Sequence, residues 1–68
     1  MTRLRVNGVE EEVTAATVAE LLALRGVDPA VRFLAVAING AVVRRAEWPS
    51  QPLAAGDEVE IVRPLQGG

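Results

Sequence analysis

Apolar and polar positions alternate at the two ends of the chain and recur at helical spacing between them. Thr2 to Val13 has the alternation of a β-hairpin, centred on Asn7-Gly8. Both central residues of a type I′ turn need positive φ, and Asn-Gly supplies them at low cost. That turn sets the register: Val6 faces Val9, Arg5 faces Glu10 and Arg3 faces Glu12. Leu4 and Val6 then share one face, and the Arg and Glu residues share the other. Glu11 falls on the apolar face in this register, which predicts an edge strand or a local bulge there.

Thr17-Val18-Ala19-Glu20 has the form of a capping box, and Val18, Leu21, Leu22 and Arg25 follow at helical spacing. Gly26 suits the residue just past the helix end, and Pro29 blocks continuation. The predicted helix covers residues 18–25 and is too short to persist without packing on a sheet. A strand from Phe33 to Ile38 follows, with Leu34, Val36 and Ile38 on one face. It ends at a second Asn-Gly turn, Asn39-Gly40, after which Val42 and Val43 return. Residues 47–52 read as irregular. Ala55-Gly56-Asp57 is a turn, and Glu58 to Arg63 is the last strand, with Val59 and Ile61 inward.

The order β-β-α-β-β-β places the helix between two hairpins, so the first and last strands can lie together at the sheet centre. The expected fold is an α+β roll with a mixed sheet of about five strands and one helix on one face. Residues 1–63 form the domain, and residues 64–68 form a flexible tail leaving a central strand.

Composition narrows the function. The 68 residues lack Cys, His, Tyr and Lys, and the only aromatics are Phe33 and Trp48. Without Cys there is no disulfide, thiolate nucleophile or soft metal site. Without His the usual general base near neutral pH is missing. The chain is therefore expected to be no enzyme, with no catalytic residue and no metal site. A net charge of −2 and the absence of a basic block argue against nucleic acid. No apolar run reaches membrane-span length, and no secretory signal is present, so no membrane role and a cytoplasmic location are expected. Trp48 reads as a cap on the core.

The last two residues are Gly67 and Gly68. Two terminal glycines occur by chance in roughly 0.5% of chains. Lacking Cβ atoms, they can thread a channel too narrow for side chains, and the terminal carbonyl is open to attack. Such a tail suits a carboxylate that is activated and loaded. The competing reading is an incidental tail or linker remnant on a non-covalent binding module. Deleting Gly68 separates the two.

The ordered set of segments resembles the ubiquitin-like β-grasp sulfur carriers, most closely the thiamine-biosynthesis (ThiS) family. It comprises Val6-Asn7-Gly8, Thr17-Val18-Ala19-Glu20-Leu21-Leu22, Ala35-Val36-Ala37-Ile38-Asn39-Gly40, Val42-Val43-Arg44-Arg45 with Glu47-Trp48, Pro52-Leu53, Gly56-Asp57, Glu58-Val59-Glu60-Ile61-Val62 and Gly67-Gly68. The resemblance implies a β-grasp fold. It also implies that an adenylating enzyme related to ubiquitin-activating enzymes joins AMP to the Gly68 carboxylate, using ATP and Mg²⁺ bound to that enzyme. Sulfur from a cysteine desulfurase or another donor would then give a Gly68 thiocarboxylate that serves thiazole synthase. Leu65, Gln66 and Gly67 would thread the partner's active site. Pro64 at the tail exit is similar to the molybdopterin-synthase carriers, so molybdopterin synthesis or another thio-transfer stays open as the destination. The chain itself would bind no cofactor, and the free form is expected to be a monomer.

The partner surface follows from alternation. If Leu34, Val36 and Ile38 face the helix, then Phe33, Ala35 and Ala37 face outward, joined by Val42 and Val62. A contiguous apolar patch on a helix-free sheet face suggests docking. Arg63, closest to the tail, either steers an acidic channel or is a plain surface arginine.

Overall fold

The computed structural model describes residues 1–63. Thr2–Val6 (β1) and Val9–Val13 (β2) form an antiparallel hairpin in the predicted register, Val6 opposite Val9, Arg5 opposite Glu10 and Arg3 opposite Glu12. Asn7 and Gly8 take φ of 49° and 85°, as the turn requires. Arg3 reaches Glu10 at 3.5 Å and Glu12 at 3.7 Å, and Arg5 reaches Glu10 at 3.7 Å. These pairs are solvent-exposed and contribute only tenths of a kcal/mol each.

The helix α1, Val18–Leu24, is fastened at both ends. Thr17 Oγ1 accepts the Glu20 N–H at 3.2 Å, and Glu20 Oε1 accepts the Ala16 N–H at 2.9 Å. The glutamate thus reaches one residue further back than an ideal capping box. The Val18 and Ala19 N–H groups are satisfied from a distant loop, by the carbonyls of Gln51 and Trp48. At the other end Gly26 has φ of 71°, and its N–H donates to Ala23 O while the Val27 N–H donates to Leu22 O. This is a Schellman closure, which needs a left-handed residue at Gly26 and buries Val27 behind it.

Ala35–Ile38 (β3), Ala41–Val43 (β4) and Glu58–Val62 (β5) complete a five-stranded sheet of order β2-β1-β5-β3-β4. A 3₁₀ turn, Arg45–Glu47, follows β4. β5 is central, parallel to β1 and antiparallel to β3. The α+β roll expected from the element order is therefore the observed fold. Val18, Leu21 and Leu22 of the helix pack on Leu4, Val6, Val36, Ile38, Val59 and Ile61 from the sheet.

Two strand boundaries need correction, and one is that the last strand ends at Val62, not Arg63. The third strand begins at Ala35, not Phe33. Phe33 has φ of 65°, which an extended strand cannot contain, so the chain turns there before the ladder starts. Glu11 lies on an edge strand as expected, but no bulge occurs: Leu4 pairs with Glu11 in unbroken register. Its carboxylate is accommodated by Arg25, whose Nη1 donates to Oε2 at 2.8 Å. The side chains are 33% and 30% exposed. This pair ties the edge strand to the C-terminal end of α1. Glu11→Ala is expected to cost about 1 kcal/mol, less at high salt, in urea unfolding. A loss under about 0.2 kcal/mol would show that the pair contributes nothing.

No helix among the described residues is long and apolar enough to cross a membrane. Residues 64–68, which carry the expected flexible tail, lie outside the described residues.

Candidate functional site: the outer sheet face and the start of the tail

The strands place two surfaces back to back. Leu4, Val6, Val36, Val59 and Ile61 point into the core, so the alternate residues point to the face without a helix. Across that face the character changes in steps. Glu10 and Glu12 of β2 face Arg3 and Arg5 of β1, and Arg5 pairs in register with Glu58 of β5. Beyond Glu58 and Glu60 the surface becomes apolar. Val62 stands opposite Ala35, and Ala37 stands between Glu60 and Val42. Val62 and Val42 are 59% and 75% exposed, Ala35 is exposed and Ala37 is half-buried.

The structure thus brings Ala35, Ala37, Val42 and Val62 together as predicted. Phe33 lies outside the ladder, two residues before the same end of β3, and it is 79% exposed. The Arg32 guanidinium sits 5.5 Å from its ring centroid. A bulky residue in the left-handed region is strained by about 1–2 kcal/mol. Strain of this kind concentrates at functional surfaces. Arg63 is exposed at the end of β5. Leu65, Gln66, Gly67 and Gly68 lie outside the described residues.

The antiparallel pairing of Ala35 with Val62 places the C-terminal end of β5 beside the start of β3. Val62, near the last described residue, therefore lies at the apolar end of the outer face and not on its charged side.

The strand that launches the tail is held by side chains as well as by neighbours. Asn7 donates its backbone N–H to Val59 O at 2.9 Å. Its Oδ1 accepts the Ile61 N–H at 2.8 Å, and its Nδ2 donates to Ile61 O at 3.3 Å. At the opposite end of β5, Asn39 Oδ1 accepts the Glu58 N–H at 2.9 Å and Nδ2 donates to Asp57 Oδ1 at 3.0 Å. Both asparagines read as plain turn residues in the sequence. Their second task leaves no local signal, because Asn7 and Ile61 are 54 residues apart.

Trp48 is a core cap, as expected: it is 2% exposed, and its Nε1 donates to Val43 O at 2.9 Å. Arg45 covers the ring at 4.7 Å and donates to Val31 O at 2.9 Å. Among the described residues no group of three His, Cys, Asp or Glu side chains converges as a metal site.

The ThiS family profile matches residues 4–68. A crystal structure of a thiamine biosynthesis protein (ThiS) from Geobacter metallireducens is similar, with 33% identity and a TM-score of 0.77, covering 98% of this chain and all of that one. A solution NMR structure of a thiamine biosynthesis protein from the same organism shares 31% identity at a TM-score of 0.79, covering 98% of this chain and 88% of that one. No curated protein sequence matches this chain. With a profile match across nearly its full length and two neighbours above 30% identity, the chain belongs to the ThiS family.

Proposed function

We propose that this chain is a sulfur carrier of thiamine biosynthesis that holds its sulfur as a thiocarboxylate on Gly68 and delivers it to thiazole synthase. The observation that carries this reading is the family match, which runs through Gly67 and Gly68. The composition agrees with it: a chain without cysteine has no side chain on which to carry transferable sulfur.

The chemistry needs little from the domain itself. A Gly68 carboxylate oxygen attacks the α-phosphate of ATP, which the adenylating partner holds with Mg²⁺, and pyrophosphate leaves. The terminal sulfur of a persulfide, supplied by a cysteine desulfurase or another donor, then attacks the acyl carbon and AMP leaves. A thiol next attacks the donor's sulfur in the resulting acyl disulfide, which releases the Gly68 thiocarboxylate and leaves the donor joined to that thiol as a disulfide. The carrier serves as the substrate of that enzyme, binds no cofactor of its own and is a monomer when free. In this reading it works in the cytoplasm. Leu65, Gln66 and Gly67 thread the partner's channel, and Arg63 stands at its mouth.

The test is ATP–pyrophosphate exchange by the adenylating enzyme. Exchange that depends on this chain supports the reading. A competent enzyme that ignores the chain contradicts it.

The partner docks on Phe33, Ala35, Ala37, Val42 and Val62 in this reading. A contiguous apolar patch bounded by charge is what a docking surface requires, and it adjoins the tail exit. Val62→Asp is expected to weaken binding to the adenylating enzyme by at least about tenfold in calorimetry, because it buries an unpaired charge. Phe33→Gly should do the same while leaving stability equal or slightly raised, since glycine accepts the φ of 65° without strain. Unchanged affinity in both variants would remove this face from the interface.

A further inference from the structure

We propose that Asn7 is a positioning residue for the loading reaction, acting through Ile61 as a side-chain surrogate for a missing strand residue. The proposal rests on the sulfur-carrier reading above and deepens it.

β1 ends at Val6 and turns away into the hairpin, whereas its parallel neighbour β5 continues to Val62. The last registered partner of β1 on β5 is Val59, opposite Val6. Beyond that point Ile61 would present an unpaired N–H and C=O on its β1 side. The Asn7 amide fills this gap. It has the acceptor and donor of a peptide unit, and it meets the Ile61 N–H at 2.8 Å and the Ile61 carbonyl at 3.3 Å. The ladder is thereby extended by one step without any β1 backbone. The turn imposes the orientation: Asn7 sits at φ 49°, where its backbone N–H still bonds Val59 O and its side chain lies along β5.

The location gives this anchor its functional meaning. Ile61 precedes Val62, which belongs to the outer apolar patch, and the tail begins directly after Arg63. If Ile61 and Val62 fray, an enzyme that captures the tail must order them at the moment of binding. Each backbone residue fixed at that step weakens capture by about tenfold. Gly68 lies seven positions beyond Ile61, a reach of about 25 Å at most, so an anchor at Ile61 also fixes the origin from which the carboxylate is presented.

Asn39 supplies the control. It clamps the other end of β5, remote from the tail, through contacts to Glu58 and Asp57 of comparable length. Asn7→Gly and Asn39→Gly both keep a residue that tolerates positive φ, and each removes one clamp. Two readouts are compared for the whole chain. In amide hydrogen exchange, Asn7→Gly should speed exchange at Ile61 by about tenfold and leave Leu4 and Val36 unchanged. Asn39→Gly should instead act at Glu58. In adenylation kinetics with the ATP-dependent enzyme, Asn7→Gly should raise KM for the carrier by about tenfold and keep kcat within about twofold. Asn39→Gly should leave both near wild type at matched loss of melting temperature.

A purely structural Asn7 would give equal kinetics for the two variants, which overturns the proposal. Unaltered Ile61 exchange in Asn7→Gly overturns it as well. Failure of the wild-type chain itself to be adenylated is a different result: it removes the sulfur-carrier reading, and the positioning role with it.

Discussion

Deleting Gly68 is expected to abolish sulfur loading while leaving the melting transition within about 1 °C of wild type. The two halves of this expectation have separate causes. Among the described residues the buried cluster runs from Leu4 to Ile61, and the expected stability of the deletion variant rests on that cluster. The reacting group, in contrast, is relocated. A carboxylate on Gly67 lies one residue short, about 3.5 Å from where the partner's nucleotide would meet it. Misplacement by a single ångström can already cost a hundredfold in rate, so a displacement of this size should leave no measurable product. A Gly68→Ala variant refines the point. It keeps the length and the carboxylate but adds a Cβ, and a channel shaped for glycine should reject it. Chromatography of the loaded and unloaded forms checks both variants. Full loading of the deletion variant would show that the last residue is not the carrier.

Trp48→Ala is expected to give the largest stability loss of any single change in the domain. Trp48 is the largest side chain in the core and is almost completely buried. Its truncation removes apolar contact and leaves a cavity, together about 3–5 kcal/mol. It also strips the Val43 carbonyl of its buried donor, the Nε1–H at 2.9 Å, and it removes the surface on which Arg45 stacks. A 68-residue domain has about 3–10 kcal/mol in total. Trp48→Ala should therefore lower the melting temperature by about 15–30 °C or leave the chain largely unfolded at 37 °C. Trp48→Phe separates packing from hydrogen bonding. It keeps a ring but orphans the Val43 carbonyl, and should cost about 1–3 kcal/mol. Thermal melts followed by circular dichroism measure both. A shift under about 5 °C for Trp48→Ala would mean that the core closes without it.

Much of this molecule is legible from local rules. Asn7-Gly8 sets the first hairpin register through turn geometry alone, and every predicted cross-strand pair is present. Thr17, Glu20 and Gly26 mark the helix ends because each satisfies backbone groups within a few residues of itself. The inward positions of β3 and β5 follow from alternation on a sheet with one buried face.

Where the reading departs from the structure, the cause is long-range or conformational. Phe33 has an apolar side chain in phase with Ala35 and Ala37, so alternation extends the strand through it. Its positive φ has no marker in a residue that usually avoids that region. Glu11 looks like a defect until Arg25, fourteen residues away, is seen beside it. The clamps from Asn7 and Asn39 to β5 depend on the parallel crossover that sets β1 against the last strand. At the candidate site the patch residues Ala35, Ala37, Val42 and Val62 were accessible to alternation, because each lies on a regular strand.

The central claim is that the Gly68 carboxylate is the sulfur-bearing group. Intact-protein mass spectrometry tests it most directly. The chain is incubated with ATP, Mg²⁺, its adenylating enzyme and a sulfur donor, and the product is fragmented to locate the change. The account predicts replacement of one oxygen by sulfur at Gly68 and nowhere else, dependent on ATP. An unchanged mass with a demonstrably active enzyme and donor, or sulfur found on another residue, would contradict it.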